Sequence, residues 1–148
     1  MKYLLPLFSV LILSCTTQEQ RENSFSRRYV QPANGYAQMV VVEQDGVKTL
    51  HISGQVGEGN DLETQMRDVL KKLANLLQSE GGDYADLVKI NTYIVNYQPT
   101  DLDVFRGVRK EIFTDAITPA STLVGVTALA LPEWLIEIDA VAVVEQDK

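Results

Sequence analysis

Apolar residues along this chain recur with two different periods, and the change of period predicts the order of its elements. A two-residue period predicts five strands, over residues 38–44, 47–54, 88–95, 121–127 and 135–144. Between the first two, Asp45-Gly46 predicts a two-residue hairpin turn, because both positions of such a turn need a positive φ angle. The pattern therefore predicts a sheet that begins with a hairpin.

Two other segments have the period of an amphipathic helix. The first is predicted to start at the capping pair Asn60 and Glu63 and to end at Gly81-Gly82. Its apolar stripe consists of Leu62, Met66, Val69, Leu70, Leu73, Leu76 and Leu77. The second is predicted to follow Pro99, with Thr100 and Asp103 as its capping pair. Its buried stripe consists of Leu102, Phe105, Val108, Ile112 and Phe113.

The resulting order, ββαβαββ, predicts an α+β fold in which both helices cover one face of a mixed sheet. The opposite face is predicted to carry both apolar and polar groups: Met39, Val41, His51, Ser53, Tyr93, Val95, Leu135, Glu137, Asp139 and Val141. An exposed face of this kind is a liability for a monomer, so we predict a homo-oligomer that covers it. The alternative is a monomer with one solvated sheet face, which antiparallel sheets tolerate.

The beginning of the chain has the pattern of an export signal. Lys2 precedes an apolar run over residues 3–13, which is too short to span a bilayer as a helix. Cys15, the only cysteine, follows Ser14 and is predicted to accept a lipid, which would anchor the protein in the cell envelope. We predict a lipoprotein-type signal over 1–15, a polar tether over 16–28 and one domain over 29–148. A plain secretory signal or an uncut membrane anchor is the alternative.

Charge and composition exclude several classes of partner. Without residues 1–15 the chain has 12 basic and 20 acidic residues, a net charge of −8, which disfavours nucleic-acid binding. One histidine and one cysteine in the whole chain argue against a transition-metal site. We interpret that histidine, His51, as a sheet residue rather than a catalytic base, because no spacing suggests a triad.

Five motifs, taken in their order and spacing, resemble the Rid (reactive intermediate deaminase, or YjgF) family over residues 34–144. They are Asn34-Gly35-Tyr36-Ala37-Gln38, Ser53-Gly54-Gln55-Val56, Asp86-Leu87-Val88-Lys89, Pro119-Ala120 and Leu135-Ile136-Glu137-Ile138. The resemblance implies a chorismate-mutase-like homotrimer with clefts between its subunits. It implies hydrolysis of 2-imino and enamine acids to 2-oxo acids and ammonia, without a cofactor.

The same resemblance implies roles for particular residues. Glu137 would handle water or proton transfer, and the cleft that binds the small metabolite would be lined by Tyr36, Ser53, Gln55, Ser121 and Thr122. The family usually has an arginine where this chain has Ser121, and that arginine clamps the substrate carboxylate. Losing such a charge-assisted contact costs about 1.5–3 kcal/mol.

Each of these residues also has an ordinary structural interpretation. Glu137 could face solvent or pair with a lysine or arginine, and Tyr36 could be an aromatic residue that flanks a hairpin. Ser53 and Gln55 could be polar groups at a strand end. Arg106 and Arg109 lie on the second helix, where Arg106 fits a solvated face beside Asp103 or Lys110. The sharper hypothesis is that Arg106 reaches the cleft and replaces the missing guanidinium.

Three functions follow from these observations. The first is a Rid-type deaminase whose activity is weak or lost because Ser121 replaces the arginine. The second is a non-catalytic protein that binds a small metabolite, which the export signal favours because imine intermediates arise chiefly in the cytoplasm. The third is an envelope scaffold. Some relatives are described as endoribonucleases, but the net charge of −8 disfavours that activity here.

Overall fold

A computed structural model describes residues 25–114 and 118–146. The predicted signal, Cys15 and residues 16–24 of the predicted tether lie outside the described residues, so the lipid anchor stays a prediction. The described elements are β1 (Phe25–Ala33), β2 (Tyr36–Gln44), β3 (Val47–Val56), α1 (Leu62–Ser79), a 3₁₀ turn (Tyr84–Asp86), β4 (Leu87–Val95), α2 (Asp101–Lys110), β5 (Ala120–Val126) and β6 (Ile136–Glu145). None of the described helices is both long and apolar enough to cross a bilayer.

The strands form one mixed sheet, and the α+β class predicted from the sequence is confirmed. The strand order is β1-β2-β3-β6-β4-β5, in which only the β4–β5 pair is parallel. Both helices pack on one face, and their apolar stripes join the core against residues such as Leu50, Ile90 and Ile138. Strand β5 lies at one edge of the sheet and β1 at the other.

Strand β1 was not predicted, and the described order is therefore βββαβαββ. Residues 25–28, which we assigned to the polar tether, are the beginning of this strand and pair with β2. Most β1 side chains are exposed, so the strand has no apolar period that would reveal it. It is held instead by its backbone ladder and by Arg28, whose guanidinium donates to both carboxylate oxygens of Glu80 at 3.0 and 2.7 Å.

The hairpin between β2 and β3 has the predicted turn, but two residues face the opposite way from the prediction. Asp45 and Gly46 have φ angles of 52° and 82°, as the turn requires. The resulting register pairs Met39 with Ile52, so Met39 and Val41 lie fully buried on the helix side of the sheet. Residues 39–42 are all apolar, and an unbroken apolar run does not show which face is buried.

Two local details also differ from the prediction. The side chain that caps α1 belongs to Asp61 rather than to Asn60. At the start of β4, a register shift lies between Leu87 and Lys89 in the pairing with β6. Leu87 is therefore buried, and Val88, which a strict two-residue period would place on the same face as Ile90, is 47% exposed.

Candidate functional site

A cavity opens where β2 and β3 separate. The ladder between these strands ends at the Met39–Ile52 pair, and Tyr36 and Ala37 pair with β1 instead. On its other side, β3 changes its register against β6 between Ile52 and Gln55. The cavity has a volume of about 800 Å³, and its wall includes four of the predicted site residues: Tyr36, Ser53, Gln55 and Glu137.

Two of these residues tie the separating strands together. The Ser53 hydroxyl donates to the Ala37 carbonyl at 2.6 Å. The buried Gln55 side-chain amide donates to the side-chain oxygen of Gln38 and to the Ser53 carbonyl, both at 2.9 Å. Because these hydrogen bonds bridge the gap that the backbone ladder leaves open, Ser53 and Gln55 shape the cavity wall.

Glu137 presents its carboxylate to this cavity without a counter-ion. It lies on β6 between the buried residues Ile136 and Ile138, on the other face of the strand, and it is half-buried. Burial raises the pKa of the Glu137 carboxyl, and the nearby charge of Asp139 raises it further. Within residues 25–114 and 118–146, no cation and no hydrogen-bond donor contacts this carboxylate. Within the described part of the chain, Glu137 therefore lacks the ion pair with a lysine or arginine that one of its structural interpretations requires.

Gly54 makes room for that carboxylate. A β-carbon added at Gly54 would overlap the carboxyl end of Glu137. The Ser-Gly-Gln segment of β3 thus holds a glycine where the glutamate of the neighbouring strand folds across the backbone. The sequence analysis named both the Ser-Gly-Gln motif and the motif that contains Glu137. Only the contact between them shows that the position of the Glu137 carboxylate depends on the glycine.

The cavity wall of a single chain holds one cation, Lys72 of α1, among the lining residues that the structure describes. Its ammonium group is already engaged, with the Val56 carbonyl at 3.0 Å and the Asp68 carboxylate at 2.9 Å. In the same described part of the chain, no three His, Cys, Asp or Glu side chains cluster as metal ligands. This wall therefore offers a substrate polar amides and one carboxylate, but no free guanidinium.

The remaining predicted residues lie elsewhere. Ser121 and Thr122 belong to the edge strand β5, and β4 separates that strand from β6, so neither residue lines the cavity. Successive residues of a strand point to opposite faces. Ser121 pairs with the buried Ile90 on the helix side, whereas Thr122 accepts a hydrogen bond from Lys89 on the other side, at 2.9 Å.

Arg109, rather than Arg106, contacts Ser121. Arg106 is exposed and makes no hydrogen bond or ion pair with the described residues. The Arg109 guanidinium donates to the Ser121 hydroxyl at 2.6 Å. It also lies over the rings of Phe105 and Phe113, 5.2 and 4.7 Å from their centroids. The signal in the sequence was the four-residue spacing of Phe105 and Arg109, which places both side chains on one side of α2, whereas Phe113 follows the end of that helix.

Comparison with known proteins gives one consistent family. A family model described as Endoribonuclease L-PSP matches residues 26–144. A YjgF-family protein from Neisseria meningitidis is 28% identical, with a TM-score of 0.70, over 83% of this chain and 98% of that one. A Rid-family protein of unknown function from Yersinia pestis is 36% identical, with a TM-score of 0.62, over 80% and 98%. A YjgF-family member from Mycobacterium tuberculosis is 30% identical, with a TM-score of 0.68, over 80% and 100%.

Proposed function

Because the chain belongs to the YjgF/Rid family, we propose that its cavity binds a small 2-imino or enamine acid and hydrolyses it to a 2-oxo acid and ammonia. The observation that carries the proposal is the Glu137 carboxylate, which is half-buried beside the cavity and has no cation partner among the described residues. A carboxyl group whose pKa is raised by burial suits proton transfer closer to neutral pH.

The reaction assigns Glu137 a defined task. The oxygen of a water molecule adds to C2 of the imine while Glu137 accepts a proton from that water. The electron pair of the C=N bond moves to nitrogen, which takes up a proton from solvent, and the product is a carbinolamine. When the carbinolamine collapses, Glu137 returns its proton to the nitrogen, the C–N bond breaks and ammonia leaves. The hydroxyl group loses its proton to solvent as the C=O bond of the 2-oxo acid forms, so Glu137 is unchanged at the end.

We propose that this activity is weak. The substrate carboxylate needs a charged partner, and Arg binds it best through two parallel hydrogen bonds. Ser121 offers a single neutral hydroxyl, and the one lysine of the cavity wall is occupied by Asp68. Binding of the metabolite without turnover is the alternative function that this shortage of positive charge supports.

We further propose that the working unit is a homotrimer with its clefts between subunits, as the family resemblance implies. The sheet face opposite the helices supports self-association, because it exposes large side chains, including Tyr29 at 58% and Val124 at 41%. A cleft between subunits would also bring the edge strand β5 of one copy toward the cavity of another. Residues that lie apart in a single chain would then share one site.

The test is ammonia release by the purified full-length chain, with the 2-imino acid generated in situ by an amino-acid oxidase. We expect release above the spontaneous rate, and we expect Glu137→Gln to lower it by about 10²-fold or more. Glu145→Gln changes an exposed carboxylate on the same strand and should leave the rate unchanged. An equal rate in wild type and Glu137→Gln would contradict the role of Glu137. Binding of the 2-oxo acid without any hydrolysis would favour the non-catalytic alternative.

A further inference from the structure

Arg109 has hydrogen-bonding capacity that the described structure does not use. A guanidinium has five N–H donors, and the described partner of Arg109 is the single hydroxyl of Ser121. The rings of Phe105 and Phe113 hold the group in place, so it is oriented before any ligand arrives. The donors that remain could bind a planar anion through two parallel hydrogen bonds.

The surroundings of Arg109 differ from those of Arg28 and Arg67. Arg28 is paired with Glu80, and Arg67 is paired with Glu63 and Glu111. Arg109 is half-buried, and no carboxylate within residues 25–114 and 118–146 pairs with it. Burial lowers the pKa of the Arg109 guanidinium, which shows that its positive charge is incompletely solvated. A partly desolvated cation without a counter-ion gains more from an arriving anion than a fully solvated one does.

Arg109 lies where an anion in solution can reach it. Ser121 is exposed and lies on β5, which has a strand neighbour on one side only in the described sheet. The contact between Arg109 and Ser121 therefore lies at an open edge of the sheet rather than within the core. In the proposed trimer, this edge would lie beside the cavity of a second copy.

We infer that Arg109 and Ser121 together bind the carboxylate of the substrate, which makes Arg109 the specificity-determining residue of the site. This inference rests on the proposed function, because it takes the 2-imino acid as the ligand and a second copy as the source of Glu137. In this arrangement the Ser121 hydroxyl orients the guanidinium of Arg109. A substrate with a neutral group in place of its carboxylate would be rejected.

The experiment compares two stable probes that differ in charge. Calorimetry on the full chain measures binding of 2-oxobutyrate and of its neutral analogue 2-oxobutanamide. We expect Arg109→Gln to weaken 2-oxobutyrate binding by at least about tenfold and to leave the amide unaffected. Arg106→Gln, on the same helix, should change neither. The double variant Arg109→Gln/Ser121→Arg should recover 2-oxobutyrate binding, because it returns a guanidinium to the same edge.

The outcomes separate this inference from the proposed function. Unchanged 2-oxobutyrate binding in Arg109→Gln would overturn the inference while leaving hydrolysis by wild type standing. Equal weakening of both probes, without recovery in the double variant, would mean that Arg109 only supports the fold, and it would also overturn the inference. Failure of wild type to bind either probe or to release ammonia would overturn the proposed function, and the inference with it.

Discussion

Two carboxylates at different places in this molecule, one buried and one half-buried, have opposite surroundings. Glu80, directly after α1, has a side chain that is 7% exposed, and it meets Arg28 at 2.7 Å and Lys48 at 3.6 Å. The hydrogen bonds from Arg28 are the main reason why the pKa of Glu80 is lowered. Glu137, on β6, meets no cation among the described residues, and burial raises its pKa.

The difference distinguishes a carboxylate that stabilises the fold from one that is a candidate for proton transfer. Glu80 joins three elements, because Arg28 lies on β1, Lys48 lies on β3 and Glu80 itself ends α1. The pKa of Glu80 is lowered beside its two cations, so the folded state favours its charged form and this carboxylate contributes to folding. Glu137 is partly desolvated and has no cation partner among the described residues, so its charge opposes folding. A residue that weakens the fold at the wall of a cavity is a candidate for function.

The largest effect should come from moving the Glu137 carboxylate without removing it. Gly54→Ala places a methyl group where that carboxylate lies, and we expect hydrolysis to fall by about 10²-fold because the proton acceptor is misplaced. The melting temperature should change little, since the displaced atoms are the flexible end of a side chain. Ammonia release and thermal unfolding measure the two effects.

Gly107→Ala is the matched control for that substitution. Gly107 lies in α2, and no atom of the described residues comes within 4 Å of a β-carbon added there. This variant should keep full hydrolysis, and it should be slightly more stable because alanine favours a helix more than glycine does. Full activity in Gly54→Ala would mean that the reaction does not depend on where the Glu137 carboxylate lies.

Glu80→Gln should lower stability and leave hydrolysis unchanged, which is the opposite of the effect expected for Gly54→Ala. It removes the carboxylate that Arg28 and Lys48 share and leaves Arg28 with the more distant Glu43 at 3.8 Å, so we expect the free energy of unfolding to fall by about 1–3 kcal/mol. Hydrolysis should stay at the wild-type rate. Urea denaturation measures the loss, and Glu63→Gln, which breaks an exposed pair with Arg67, should lower the free energy of unfolding by less than Glu80→Gln does.

The two carboxylates also predict opposite pH dependences. The pKa of Glu80 is below its usual 4.5, so its stabilisation is complete above that value and is lost as the pH falls through the lowered pKa. The pKa of Glu137 is above 4.5, so its destabilisation grows as the pH rises from 4.5 through the raised pKa. Glu80→Gln should flatten the acid limb of stability, and Glu137→Gln should raise stability above the raised pKa. Identical pH profiles in these variants and wild type would contradict both assignments.

The smallest effect concerns a buried polar group that lines no described cavity. The Thr92 hydroxyl is fully buried on β4 and has no hydrogen-bond partner in the part of the chain that the structure describes. Thr92→Val should raise the free energy of unfolding by about 1 kcal/mol, because it removes an unsatisfied donor. Hydrolysis should not change. A loss of activity in Thr92→Val would mean that unpaired polar groups away from the cavity also matter for the reaction.

Local patterns predicted much of the fold and part of the site. The turn at Asp45-Gly46 and the apolar stripe of α1 depend on backbone preference and periodicity, which act over a few residues. Strand β1 could not be predicted, because its polar side chains carry no period and its partners, Glu80 among them, are distant in sequence. The side of the sheet on which Met39 lies was set by the register of the hairpin, and the apolar residues next to it in sequence did not indicate that side.

Sequence alone determined which side chains are available: a glutamate in an apolar strand, a Ser-Gly-Gln strand end and a serine after Pro-Ala. Only the tertiary structure decided how they are distributed. It places Glu137 against Gly54, it separates Ser121 from both by β4, and it sets Arg109 against Ser121. The physical reason is that periodicity assigns a residue to a face, whereas strand order and register decide which faces meet.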